Sequence, residues 1–174
     1  MPVGYHGTLD HIAEKIVHEQ KIKFSKKDTE WLGYGAYFFK YRDHAVAWAR
    51  REAEKEKNFL FSPGLVRADL FFTEDQQLDL DDPEQLAEIN AFMQDYLKAA
   101  PEVQVRWEKS NKWQRWCLSC NLYRRFYPEV KVISHTFNFN KSMPKSNTSG
   151  FNINQFQYCI SDPSIIKNIR KEAL

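Results

Sequence analysis

Apolar residues recur at Leu9, Ile12, Ala13, Ile16 and Val17, the i, i+3, i+4, i+7, i+8 face of an amphipathic helix. Thr8 stands where an N-cap would. A second helix is predicted from Ala45 to about Lys57, with Asp43 as its cap and a strongly charged end. Leu65 to Phe72 is rich in strand formers and reads as a central strand. Asp82-Pro83-Glu84-Gln85 has a capping residue followed by proline at the first helical position, and Leu86, Ile89, Met93, Tyr96 and Leu97 carry an amphipathic helix onward. Trp113, Trp116, Cys117 and Cys120 return to helical spacing. Val130 to Phe139 reads as a strand and Asn140 to Asn154, with Pro144 and Gly150, as a polar loop. Gln157 to Ser161 reads as a short strand closed by Asp162-Pro163. Helices and strands do not alternate regularly, which favours an α+β fold over a doubly wound sheet. Without internal repeat, low-complexity tract or linker, residues 1–174 read as one domain.

Composition agrees with a packed domain. Hydrophobic residues make up 43% and aromatics 15% of the chain, which excludes a disordered class. No stretch approaches the roughly 18 apolar residues of a membrane span. The opening MPVGYHGTLDHIAEK lacks a basic region followed by an apolar one, so a secretory signal is not expected. Three cysteines, an odd number, suit a reducing compartment. A cytoplasmic protein is therefore expected, with no membrane partner. Charge is segregated. Ala68 to Gln104 holds ten acidic residues and one base, whereas Val105 to Gln157 holds nine basic residues and two acids. Such a division fits either an anionic partner or two solvated faces.

Three segments carry candidate chemistry. In Gly4-Tyr5-His6-Gly7-Thr8, the glycine allows close approach of a ligand to the backbone and the histidine can hydrogen-bond a hydroxyl; a structural turn explains the same residues. In Trp31-Leu32-Gly33-Tyr34-Gly35-Ala36-Tyr37-Phe38-Phe39, two glycines amid aromatics suggest a bend presenting a face on which a flat heterocycle can stack, or else an aromatic core strand. In Phe156-Gln157-Tyr158-Cys159-Ile160-Ser161-Asp162-Pro163, an amide interrupts an apolar strand, which calls for a partner unless the glutamine faces solvent on an edge strand.

Taken together and in this order, the three segments resemble the ADP-ribosyltransferase family, in its poly(ADP-ribose) polymerase-like, diphtheria-toxin-like branch. His6-Gly7-Thr8 matches a His-Gly-Ser/Thr motif. Gly33-Tyr34-Gly35-Ala36-Tyr37-Phe38 matches Gly-x-Gly-x-Tyr-Phe. Gln157 stands at the head of a late strand where the family usually has Glu. The resemblance spans essentially the whole chain and implies two packed β-sheets flanked by helices around an NAD⁺ cleft. It also implies that NAD⁺ is consumed as a substrate and that no metal is needed. By this likeness His6 bonds the adenosine ribose, the Gly7 backbone holds the nicotinamide carboxamide beside Thr8, and Tyr37 stacks on the nicotinamide ring. Trp48, about eleven residues further on, closes the sandwich or is simply core. Gln157 contacts the nicotinamide ribose, with Gln155 as the alternative if the register differs by two. Breaking the nicotinamide–ribose bond develops oxocarbenium-like charge on the sugar, and clamping a bent NAD⁺ is a proximity effect. An amide can hydrogen-bond but cannot act as a base, so Gln157 implies transfer of a single ADP-ribose rather than polymer growth.

The activity implied is that of a bacterial-type mono-ADP-ribosyltransferase. Basic residues Arg106, Lys109, Lys112, Arg115, Arg124 and Arg125 interleave with Trp107, Trp113, Trp116, Tyr123 and Tyr127, and Lys141 and Lys145 lie in the acid-free loop. That pattern favours nucleic acid, RNA or DNA, over protein as acceptor, unless the aromatics are core and the bases surface. Small transferases of this kind resemble toxins of toxin–antitoxin or anti-phage systems, which implies a neutralising antitoxin. An NAD⁺ glycohydrolase and an inactive NAD⁺- or ADP-ribose-binding module stay open beside it. Cys117-Leu118-Ser119-Cys120 has zinc-knuckle spacing, but a closed site needs four ligands and only His135 and Cys159 could join, so core packing is expected there.

Overall fold

The computed structural model describes residues 1–56, 61–138 and 154–174. Strand β1 (Val3–Leu9) leads into helix α1 (Asp10–Glu19), followed by β2 (Ala36–Phe39), α2 (Arg42–Lys55) and β3 (Pro63–Leu70). A short β4 (Gln77–Asp79) precedes three consecutive helices, α3 (Pro83–Ala99), α4 (Pro101–Lys109) and α5 (Lys112–Phe126). Strands β5 (Val132–Asn138), β6 (Asn154–Ile160) and β7 (Ile166–Glu172) complete the fold. Three helices in sequence between strands, and mostly antiparallel pairing, make the fold mixed α and β of the α+β kind.

The seven strands form one sheet in the order β4-β5-β6-β2-β1-β3-β7. This differs from the expected pair of packed sheets, yet the sheet is nearly divided. Strand β1 pairs with β3 along its whole length, Val3↔Asp69 to Leu9↔Pro63, but meets β2 at a single position, Tyr5↔Phe39. One half is therefore β4-β5-β6-β2 and the other β1-β3-β7. Strand β3 lies one place from the edge rather than at the centre.

Alternation along the strands sorts side chains onto two covered faces. Phe38, Val66, Ala68, Leu70, Val132, Tyr158 and Ile160 pack with Ala13 and Ile16 of α1. On the opposite face, α3 and α5 lay Ile89, Cys120 and Tyr123 over Ile133, Phe137 and Cys159, while α2 lays Ala45 and Val46 over Phe39 and Leu65. Because both faces are covered, consecutive residues are buried together along these strands, Val132-Ile133-Ser134 on β5 and Gln157-Tyr158-Cys159-Ile160 on β6.

Local signals fared unevenly. Asp82 caps α3 as expected, accepting from the Glu84 and Gln85 amides with Pro83 behind it. Thr8 does not cap α1: it lies within β1, and the cap position falls to Leu9, which makes no side-chain bond. Asp43 sits inside the first turn of α2, where its charge favours the positive helix end, and Tyr41 holds the cap position. The expected end of α2 at Lys57, the end of β5 at Phe139, and the loop from Asn140 with Lys141 and Lys145 lie outside the described residues.

Gly7 has a packing reason that its motif does not reveal. A Cβ built there would stand 2.0 Å from the Ala45 carbonyl oxygen and 3.0 Å from the Ala49 nitrogen, so α2 lies directly on β1. Gly7→Ala is expected to destabilise the fold by about 1–3 kcal/mol through this overpacking. The measurement is urea unfolding; a midpoint equal to that of the unsubstituted protein would show that α2 yields without cost.

Candidate active site

The three sequence motifs, far apart along the chain, occupy three neighbouring strands. His6 and Gly7 are on β1, Tyr37 on β2 and Gln157 on β6. The His6-Gly7-Thr8 segment is thus strand rather than turn, set where β1 and β2 part. His6 Nδ1 lies 2.8 Å from the Tyr37 carbonyl oxygen and spans the gap between the two halves of the sheet. A carbonyl only accepts, so Nδ1 carries the hydrogen. Burial lowers the pKa of His6 against the opposing pull of that bond, so the ring is neutral near pH 7 and Nε2 holds a free lone pair. The side chain borders a broad open groove with Lys23, Phe24 and Ser25. This geometry can accept a hydrogen bond from a hydroxyl in the groove.

Tyr37 faces the other side of the sheet, with Phe39, Gln157 and Cys159. Its hydroxyl accepts from the Leu32 amide at 3.0 Å and donates to the Gly33 carbonyl at 2.7 Å. Burial, then the neighbouring Cys159, push its pKa far up, so it stays protonated. The hydroxyl thereby anchors the turn that carries Trp31. Gly33 in that turn has φ +83°, a conformation that only glycine adopts without strain.

Gln157 is 2% exposed, on a strand flanked on both sides by β5 and β2. The solvent-facing edge position is therefore excluded. Its neighbours across the ladders are Phe39 and His135. Its Oε1 accepts from Trp31 Nε1 at 3.1 Å, and its Nε2 is buried without a hydrogen-bond partner among the described residues. A buried amide with unused donors costs stability and calls for a partner, water or ligand. Gln155 lies two residues earlier on the same face, opposite Phe137, and is less buried.

The remaining expected residues divide. Trp48 lies on α2 with its ring 6.1 Å from that of Phe39, one alternation along from Tyr37, and with Arg51 and Lys55 over it. The aromatics gathered near Gln157 are instead Trp31, Phe137, Trp113 and Trp116: Trp31 lies 4.8 Å from Phe137 and 5.4 Å from Trp113, ring to ring. Of the basic and aromatic set, Arg124 is structural, donating to the Tyr34 and Cys159 carbonyls at 3.0 and 2.6 Å, and Arg115 donates to the Trp107 and Glu108 carbonyls. Tyr123 is core and Tyr127 stacks on it. Among the described residues, Lys112 joins this aromatic group, 5.2 Å from the Trp113 ring and 4.5 Å from the Trp116 ring. Arg106, Lys109 and Arg125 are exposed.

Cys117 and Cys120 are buried, with burial pushing their thiols up to about 11 and about 12, and Cys159 is raised too. They pack as small apolar residues, as expected. No group of three metal-ligating side chains occurs among the described residues.

Sequence reading considered His135 only as a possible zinc ligand and did not single out Asp81. His135 shares its face with Ile133 and Phe137, and its Nδ1 lies 2.7 Å from Asp81 Oδ1. A histidine interrupting the apolar alternation of β5 was the available signal; Asp81 sits in an acidic loop that offered none.

An uncharacterized protein of the archaeon Methanocaldococcus jannaschii is 33% identical over 76 residues, a stretch amounting to 44% of this chain and 36% of that relative. The chain thus spans little more than a third of the relative it matches. No family model matches the chain, and no solved structure matches it. Among the described residues, no helix is long and apolar enough to cross a membrane.

Proposed function

We propose that this chain is a mono-ADP-ribosyltransferase of the ADP-ribosyltransferase fold, cleaving NAD⁺ and passing ADP-ribose to a macromolecular acceptor. The observation that carries the reading is the placement of His6, Tyr37 and Gln157 on three adjacent strands, beside the parting of β1 and β2. NAD⁺ would lie across that parting. The neutral His6 Nε2 would accept from the adenosine ribose on the groove side, and the Gln157 amide would donate to the nicotinamide ribose on the other. The Tyr37 ring would stack on nicotinamide. Trp31 covers the Gln157 amide and would swing away as NAD⁺ enters.

The acceptor proposed is nucleic acid. Lys112 with Trp113, which is 37% exposed, and Trp116 offers a cation and an aromatic face on the Gln157 side of the sheet. A cytoplasmic toxin or anti-phage effector held in check by an antitoxin is the corresponding biological role. A second reading has its own support: the covered, 2% exposed Gln157 suits a module that binds NAD⁺ or ADP-ribose without turnover.

The deciding experiment incubates the protein with NAD⁺ labelled in the adenosine half, alongside RNA, DNA or cell lysate. Nicotinamide release with label on nucleic acid is the expected result. Label on protein would move the acceptor, release into water alone would make the protein a glycohydrolase, and binding without release would favour the module.

His6→Ala is expected to weaken NAD⁺ binding by about 0.5–1.5 kcal/mol, the net worth of one hydrogen bond. Calorimetry on the folded variant checks it; unchanged affinity would remove His6 from the site.

A further inference from the structure

Gln157 leaves the proposed reaction without a base, and the structure supplies one beside it. Resting on the NAD⁺-cleaving reading, we propose that His135, oriented by Asp81, is the general base that deprotonates the acceptor. His135 is the direct partner of Gln157 across the β5–β6 ladder, which brings their Cβ atoms within about 4.5–5.5 Å on one face. Its side chain is 29% exposed, so it meets solvent where Gln157 does not.

Asp81 is held for this task. Its Oδ1 accepts from the Thr136 amide at 3.1 Å and its Oδ2 from the Thr136 hydroxyl, while Oδ1 also lies 2.7 Å from His135 Nδ1. Partial burial pushes the carboxyl up, but the two Thr136 bonds, with the nearby imidazole, outweigh it and hold it below the ordinary carboxylate range. The contact is close without being aligned as a hydrogen bond, and a small rotation of the imidazole that points Nδ1–H at the carboxylate leaves Nε2 as the base. The Trp116 ring packs on the imidazole from α5 at 6.4 Å and the Phe137 ring at 4.9 Å. Among the described residues, Lys112 adds a charge near the pair, its ammonium riding over Trp116.

In the step, the acceptor O–H or N–H gives its proton to His135 Nε2 while the acceptor atom bonds to C1′ of the ribose. The C1′–nitrogen bond breaks and its electron pair leaves with neutral nicotinamide. Gln157 keeps the orienting role that an amide can fill, and the proton goes to the histidine.

The test measures nicotinamide release from NAD⁺ against pH, with water and with a single-stranded oligonucleotide as acceptors. It uses the unsubstituted protein, His135→Gln, Asp81→Asn and the double variant His135→Gln/Gln157→Glu. The expected loss for His135→Gln is about 100-fold in maximal rate, the range of general-base catalysis, with KM for NAD⁺ within about twofold. The rising limb of the pH profile should disappear with it. Asp81→Asn should lower the rate less and shift that limb. The double variant should regain rate, since a carboxylate then serves as the base. His135→Gln that keeps both rate and limb overturns the proposal while leaving NAD⁺ cleavage standing. If that variant does not fold, an Asp81→Asn profile identical to that of the unsubstituted protein overturns it equally. No release by the unsubstituted protein with either acceptor removes the underlying reading, and this one with it.

Discussion

Gln157→Ala is expected to lower NAD⁺ cleavage by about 100-fold, close to 2.7 kcal/mol of transition-state stabilisation, whereas Gln157→Glu keeps cleavage and gains hydrolysis. The argument rests on what each side chain can still do. Alanine removes both the Nε2 donors, proposed to bond the ribose, and the Oε1 that accepts from Trp31. Glutamate retains an acceptor for Trp31 and adds a group able to take a proton, at the cost of burying charge at a position 2% exposed. That burial will raise the new carboxyl's pKa, so the variant's advantage should grow toward alkaline pH. Nicotinamide release by both variants, alongside thermal melts to establish folding, is the measurement. Equal and near-native rates would mean that Gln157 only packs the core, and Gln155, on the same face, would be the next residue to replace.

Why Gln157 was legible and its neighbours were not follows from how far each signal travels. An amide inside the apolar run Phe156 to Ile160 is conspicuous in the sequence, because an interior strand gives polar groups few partners. Its burial also rules out a solvent-facing glutamine, which spacing alone could not do. The Asp82-Pro83 start of α3 was equally legible, since a cap depends on residues within one turn. Thr8 failed for the opposite reason: β1 pairs with β3 through residue 9, and that long-range ladder overrides a local capping preference. Strand β7, Ile166–Glu172, escaped because its charged edge pattern carries little periodic signal until β3 pairs with it. The near-division of the sheet at Tyr5↔Phe39 could not be read at all, being a matter of how two strands diverge in space. Gly7 was noticed for a ligand and proves necessary for α2, so one residue answers to two causes that the sequence cannot separate.

Tyr37 separates positioning from stacking, because its ring and its hydroxyl have different partners. Tyr37→Phe removes one bond from the Leu32 amide and one to the Gly33 carbonyl, which should destabilise the fold by about 1–3 kcal/mol. The ring stays, so cleavage of NAD⁺ should fall by less than about tenfold if stacking on nicotinamide is its function. Tyr37→Ala takes the ring as well. It leaves a cavity among Leu32, Cys120 and Cys159, with an expected cost of about 3–5 kcal/mol, and it should abolish measurable cleavage. Measuring both variants at a temperature where each is folded distinguishes the two roles. If Tyr37→Phe is as inactive as Tyr37→Ala, the residue acts by holding the Trp31 turn, and the stacking assignment is wrong. If folded Tyr37→Ala turns over NAD⁺ at the unsubstituted rate, Tyr37 has no part in the reaction, and the strongest link between the Gly33–Phe38 motif and NAD⁺ chemistry is lost.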